Sequence, residues 1–232
     1  MVKYRDLLGI EEGKSNELLL PLDPKIIPNG YLSVFADMEK ITGESPLVRE
    51  TIYSLLQDAQ KLLQKKNVNY TLFVTYGFRS LEIQVKNFLT QLAQTTNIFF
   101  SNPVDLYEEV HRFIAVPSVA GHPSGGAVDL VIKDIRSGRV IDFGAEQYDF
   151  DSKDCYVFSS NISKIGANNR ALLREIMTSV GFAPFDGEWW HFSYGDKEWA
   201  YYYKHKKSIY QQLNLLDYQG FRINGKLSSS NS

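Results

Sequence analysis

The sequence predicts a single α+β domain, a central antiparallel sheet flanked by helices. Three observations carry that reading. Segments of helical periodicity and short runs of β-branched and aromatic residues are mixed along the chain, without the regular strand–helix alternation of a parallel sheet. No internal repeat is visible. The 232 residues, 44% hydrophobic and 22% charged, have the balance of a globular chain long enough to bury a substantial core.

The elements follow in order. Residues 1–44 read as an arm packing on the domain. Their "LLLPLDPKIIPNGYLSVF" mixes apolar runs with Pro and Gly and suits one or two short strands or turns. "SPLVRETIYSLLQDAQKLLQKKN" predicts a helix, with Ser45 as N-cap and Pro46 as first helical residue. Its apolar face would carry Leu47, Val48, Ile52, Leu55, Leu56, Ala59, Leu62 and Leu63. "YTLFVTYGF" reads as a strand ended by Gly77. A second helix follows from a Ser80 cap, with Leu81, Val85, Phe88, Leu89 and Leu92 facing inward. "AVDLVI" and "GRVIDFG" read as strands. "NNRALLREIMTSVGF" reads as a helix capped by Asn168 or Asn169 and stopped by Gly181, with Leu172, Leu173, Ile176, Met177 and Val180 buried. "GEWWHFSY" reads as an aromatic strand. The final "NGKLSSSNS" has too little apolar content to be ordered.

Composition excludes several function classes. A net charge of −2 gives no bulk attraction to nucleic acid or anionic lipid, and "KHKK" at 204–207 reads as a solvated surface. The lone Cys155 allows no intramolecular disulfide, which suits a reducing compartment. With no signal-peptide or membrane-span pattern visible, a cytoplasmic enzyme is the default expectation.

The chemistry-bearing residues gather around few positions. The chain has four histidines, His111, His122, His191 and His205. His122 lies in "AGHPSGGAVDL", whose small residues lead into the strand carrying Asp129. A carboxylate inside an apolar strand needs a partner, because an isolated buried charge is costly. His191, between Trp190 and Phe192, is a similar anomaly. Each has a simpler account alone: a turn residue, or a core histidine bonded to a carbonyl. One shared metal would satisfy all three together, and hydrolytic zinc commonly takes three N/O ligands and leaves a place for water. Glu188, in "EWWH", could then act as general base. On a flat strand Glu188 and His191 would point to opposite faces, so a bulge, or Glu188 in the turn begun by "FDGE", is expected. Arg79, between a strand end and a helix start in "YGFRS", is either a surface ion pair or a cation aimed at charge developing on a substrate oxygen.

"GFR", "GHPSGGAVD" and "EWWHF", in that order, resemble the zinc D-Ala-D-Ala dipeptidases of peptidase family M15. Their pattern is roughly S-x-H-x(6)-D followed by E-x-x-H, with "GYR" upstream. The resemblance spans about residues 45 to 205. It implies a Hedgehog/D,D-peptidase-like fold, a zinc peptidase core over 45–205 and a C-terminal extension over 206–232. It also implies one Zn²⁺ held by His122, Asp129 and His191, Glu188 as base and Arg79 on the oxyanion. Asp149, in "QYDFD", would anchor the substrate's free amino group, with Tyr76 and Trp189 lining the substrate site. The implied reaction is hydrolysis of a small dipeptide, D-Ala-D-Ala or a close relative, in cell-wall peptidoglycan metabolism. The chain departs from the pattern at Tyr76, Ser80, Ala120 and Gly121, which leaves the exact dipeptide open. Two alternatives stand beside this reading: a D,D- or L,D-carboxypeptidase trimming longer wall peptides, and a non-catalytic metal-stabilised binding module. Oligomeric state is not legible.

Overall fold

Six strands and seven helices, with a further helical turn at 215–218, are formed by the residues that the computed structural model describes, 2–32, 36–95, 100–150, 152 and 154–218. In chain order they begin with α1 (Tyr4–Leu7), β1 (Leu19–Pro21), α2 (Ala36–Thr42), β2 (Leu47–Arg49), α3 (Glu50–Lys66) and β3 (Tyr70–Tyr76). Then come α4 (Leu81–Thr95), α5 (Pro103–His111), β4 (Ala127–Asp134), α6 (Lys164–Ser179), β5 (Ala183–Pro184), β6 (His191–Ser193) and α7 (Lys197–Tyr202). The main sheet has the order β3-β4-β6-β5 and is antiparallel throughout; β1 and β2 form a separate antiparallel pair.

The centre of the fold is β4. All of Ala127–Ile132 is buried, as expected of a strand covered on both faces. Val128, Leu130 and Ile132 share the main core with Ile52, Leu56 and Leu63 of α3 and Leu173 and Met177 of α6. Asp129, one position out of phase, projects from the other face. The pairing of β3 with β4 runs in regular register from Tyr70↔Asp134 to Val74↔Leu130, then slips so that Tyr76 faces Asp129. That irregularity at Thr75 is a bulge beside the candidate site.

Several expectations are corrected. The first long helix begins at Glu50, not after Ser45, because Leu47–Arg49 are extended and pair with Leu19–Pro21. Arg49 is buried there, its Nε donating to the Ser124 carbonyl at 2.8 Å and its Nη1 to the Glu17 carbonyl. The inward face of α4 carries Gln84, Phe88 and Thr95, while Val85 and Leu89 are exposed. Gln84 is drawn inward because its amide bonds both the Ala115 carbonyl and Arg79. "GRVIDFG" makes only an isolated bridge, Val140 to Lys133, and no strand. Helix α6 begins at Lys164, ahead of Asn168, because the Ser163 hydroxyl caps it by accepting the Gly166 N–H at 2.9 Å. Gly181 stops it as expected, at a φ of +98° that favours glycine. "GEWWHFSY" supplies only His191–Ser193 to a strand; the residues before it form turns.

Helix α5 was not anticipated. The Asn102 side chain caps it by accepting the Asp105 N–H at 2.9 Å, and Pro103 occupies its first turn. With α1 and α4 it closes a satellite cluster of Leu7, Phe88, Val110, Val116 and Val119. Residues 2–32 pack into the same body, with Leu22 and Ile27 in the main core, and Leu213 and Tyr218 pack beside Tyr76 and Phe78. The expected frayed tail lies outside the described residues. Among those described, no helix is long and apolar enough to cross a membrane.

Leu56, fully buried between α3 and the sheet, tests this core. Leu56→Ala is expected to lower unfolding stability by about 2–5 kcal/mol. A urea titration reads this as a lower midpoint at unchanged slope; a loss under ~1 kcal/mol would show that the site collapses around the cavity.

Candidate metal centre and cavity

The glycines around His122 let backbones and side chains approach closely. Gly125, at φ +74°, ends the single 3₁₀ turn His122–Ser124. A Cβ on Gly126 would lie 2.3 Å from the Tyr194 carbonyl oxygen, and one on Gly121 would lie 2.1 Å from Asp196 Oδ2. The turn is also fastened to the end of β3. His122 Nδ1 lies 2.8 Å from the Gly77 carbonyl, and the Arg79 N–H donates to the His122 carbonyl at 3.3 Å. A carbonyl only accepts, so Nδ1 carries a proton and Nε2 is the ring nitrogen turned toward Asp129 Oδ2, 3.4 Å away.

Strand pairing brings in the third residue. Asp129 on β4 is the direct cross-strand neighbour of His191 on β6, and His191 Nδ1 lies 3.0 Å from Asp129 Oδ1. One ligand atom from each of His122, Asp129 and His191 lies within 4.8 Å of the others. The three are 8%, 1% and 7% exposed. This is a borderline-soft N/O donor set of the kind that divalent zinc takes, presented on one wall of a cavity and leaving an open side.

Burial alone would raise the Asp129 carboxyl, but His122 and His191 beside it hold it well below the usual carboxylate range. Tyr148 adds a hydroxyl, donating to Asp129 Oδ2 at 2.9 Å. Its φ of +66° is strained for a bulky residue, so the surrounding packing holds it there.

Glu188 sits in a turn, one of the two arrangements the sequence allowed: its N–H donates to the Phe185 carbonyl and its own carbonyl accepts from His191 N–H. It therefore escapes the face alternation of the strand and reaches the same cavity as His191. Burial pushes its carboxyl up to about 8, with His191 opposing and Asp129 reinforcing the shift. Arg79 faces this cavity as well. Its guanidinium donates to Tyr76 Oη at 3.1 Å and to Gln84 Oε1 at 2.9 Å, and lies 4.7 Å from the Tyr76 ring centre. The cavity holds about 210 Å³, and its remaining walls are largely apolar: Phe113, Ile114, Ala115, Ala120, Phe150 and Phe185.

The structure thus brings together His122, Asp129, His191, Glu188 and Arg79. The three residues expected to contact substrate are not on the wall among the described residues. Tyr76 is buried behind it, edge-on to the His122 ring at 5.2 Å. Trp189 is stacked on Phe143 at 4.2 Å within the core, as its large apolar ring demands. Asp149 is half-buried and accepts a hydrogen bond from Ser152 Oγ at 2.9 Å. Conversely, the wall includes Tyr148, Gln84, His111 and Glu198, which the sequence did not single out. Tyr148 adjoins the flagged Asp149, but nothing local distinguishes it. Glu198 reaches the cavity through a strand–turn–helix step with no spacing signature.

A sequence profile described as D-ala-D-ala dipeptidase matches residues 41–211. The chain is similar to a D-alanyl-D-alanine dipeptidase of Synechocystis sp., 25% identical over 210 residues, covering 80% of this chain and 83% of that one. It is similar also to a D-alanyl-D-alanine dipeptidase of Enterococcus faecium, 29% identical over 148 residues, covering 60% and 71%. Among solved structures, VanYB in complex with D-Alanine-D-Alanine superposes with a TM-score of 0.42 at 17% identity, covering 82% of this chain and 86% of that one.

The close approach at Gly121 yields a test. Asp196 cannot simply swing away, because its Oδ1 accepts from both Ser193 Oγ and the Trp199 N–H at 2.8 Å. Gly121→Ala is expected to cost about 1–3 kcal/mol through overpacking, seen as a lower thermal midpoint. An unchanged midpoint would mean that the cap gives way freely.

Proposed function

This chain belongs to the D-ala-D-ala dipeptidase family of metallopeptidases, and on that premise we propose that it hydrolyses D-Ala-D-Ala to two molecules of D-alanine with one zinc ion held by His122, Asp129 and His191. The observation that carries the proposal is convergence. Three ligand atoms within 4.8 Å of one another share a single cavity with a carboxylate and a guanidinium. A zinc ion in such a set supplies Lewis acidity that makes water a nucleophile near neutral pH.

The chain's own residues do the rest. Glu188 takes the proton of the attacking water and returns it to the amine that leaves when the peptide C–N bond breaks. Its enclosure raises its affinity for that proton, so it can hold it between the two steps. Arg79, fixed by Tyr76 and Gln84, presents fixed positive charge where the carbonyl oxygen becomes negative. The Gly77 carbonyl keeps His122 in the tautomer whose Nε2 binds metal. Apolar walls around about 210 Å³ suit a small substrate with methyl side chains. Asp149 lies between the wall residues Tyr148 and Phe150, and we assign it the substrate ammonium.

Glu188→Ala is expected to keep stoichiometric zinc by metal analysis while hydrolysis falls by about 10²–10⁴-fold. Wild-type turnover in that variant would remove Glu188 from the chemistry. A panel of free and N-acylated D-Ala-D-Ala, scored by D-alanine release, tests the substrate. Cleavage of the free dipeptide alone is expected. Equal cleavage of both would make the enzyme a carboxypeptidase, and zinc-loaded protein inert on either would make it a binding module.

A further inference from the structure

His191 faces two ways. Its Nδ1 points at Asp129, so that nitrogen joins the ligand set, and a neutral ligating imidazole then carries its proton on Nε2. That Nε2 is buried and makes no hydrogen bond in the described structure, yet Glu198 Oε2 lies 3.5 Å from it. A buried N–H without an acceptor costs about 1–3 kcal/mol. A carboxylate enclosed to 9% exposure on a cavity wall is equally in need of a donor.

The chain between them is built to hold this separation. Gly195, at φ +75°, turns the chain after β6, and a Cβ there would lie 2.5 Å from the Tyr210 ring. Asp196 then caps α7 through the Trp199 N–H while bonding Ser193 Oγ, which ties the helix carrying Glu198 to the strand carrying His191. Glu198, in the first turn of α7, is thereby aimed back at the ring.

We propose that Glu198 is a positioning residue for the metal centre: it accepts the His191 Nε2–H, fixes the ring's tautomer and orientation, and makes Nδ1 a stronger donor to the metal. This rests on the reading of His122, Asp129 and His191 as ligands. It extends that reading to a carboxylate that faces the far nitrogen of the His191 ring and whose place in the sequence, "GDKEWA", gives no hint of the role. Outer carboxylates of this kind change metal affinity by about 10–100-fold when removed.

The test is zinc binding by the full-length chain, measured by competition with a chromophoric chelator, so it needs no substrate. Glu198→Ala is expected to weaken zinc binding by about 10–100-fold. Glu198→Gln, whose amide oxygen still accepts a hydrogen bond but carries no charge, is expected to recover part of the loss and serves if the alanine variant does not fold. In ¹⁵N-histidine spectra of the zinc-loaded protein, the Nε2 proton of His191 should exchange with water faster in Glu198→Ala than in the wild type; a residue that merely packs would not move it. Wild-type zinc affinity in both variants, or wild-type affinity with only a raised KM for the dipeptide, overturns the proposal. A wild-type chain that binds no zinc overturns the ligand assignment as well, which separates the two failures.

Discussion

A carboxylate on the most buried strand of a sheet has to be neutralised where it stands, and the architecture around Asp129 answers that demand. Strand pairing delivers His191 to one oxygen, the tight turn delivers His122 to the other, and Tyr148 is held in a strained backbone conformation to add a hydroxyl. The arrangement stores no large stabilisation, because desolvation offsets most of what a buried ion pair gains. What it fixes is geometry: two ring nitrogens and a carboxylate oxygen converge within 4.8 Å of one another.

The same logic separates the two glutamates. Glu188 stands in a turn, beside a carboxylate it cannot neutralise, and burial raises its proton affinity. Glu198 stands behind His191, close to imidazole rings, and although burial alone would raise its carboxyl, those rings hold it below the ordinary carboxylate range. Two chemically identical side chains thus acquire opposite tendencies from their neighbours alone, one disposed to hold a proton and one to accept a hydrogen bond.

The clustering of His122, Asp129 and His191 was legible in the sequence because its members break local rules. A carboxylate in an apolar strand and a histidine among aromatics are conspicuous, and the expected conflict between Glu188 and His191 was resolved by the turn that the sequence allowed. Long periodic segments were legible as well: α3, β3, β4 and α6 all exist, with errors at their starts. Those errors share a cause. Ser45–Pro46 has the composition of a helix cap, but Leu47–Arg49 are claimed by β1, a partner far away in the chain. The face of α4 was misjudged because Gln84 has a buried use that hydrophobicity cannot register. Glu198 and Tyr148 were invisible for the same reason, since their importance lies in what the fold sets opposite them. Trp189 and Tyr76 were misplaced for a simpler one: in a chain this rich in aromatics, adjacency to a functional residue does not decide which ring faces the cavity and which fills the core.

The hydrogen bonds that join Gly77 and Arg79 to His122 make the end of β3 and the glycine-rich turn one mechanical piece. Apart from Ala120, which belongs to the His122 turn, the apolar walls come from other pieces: the segment after α5, the stretch around Phe150, and Phe185 ahead of the Glu188 turn. Chemistry and selectivity are therefore housed in separable parts of the chain. Substitutions at Ile114 or Phe150 can reshape the cavity while His122, Asp129 and His191 stay in register. A change at Gly77 or Gly121 has no such freedom, and lineages diverging in substrate should diverge first along the walls.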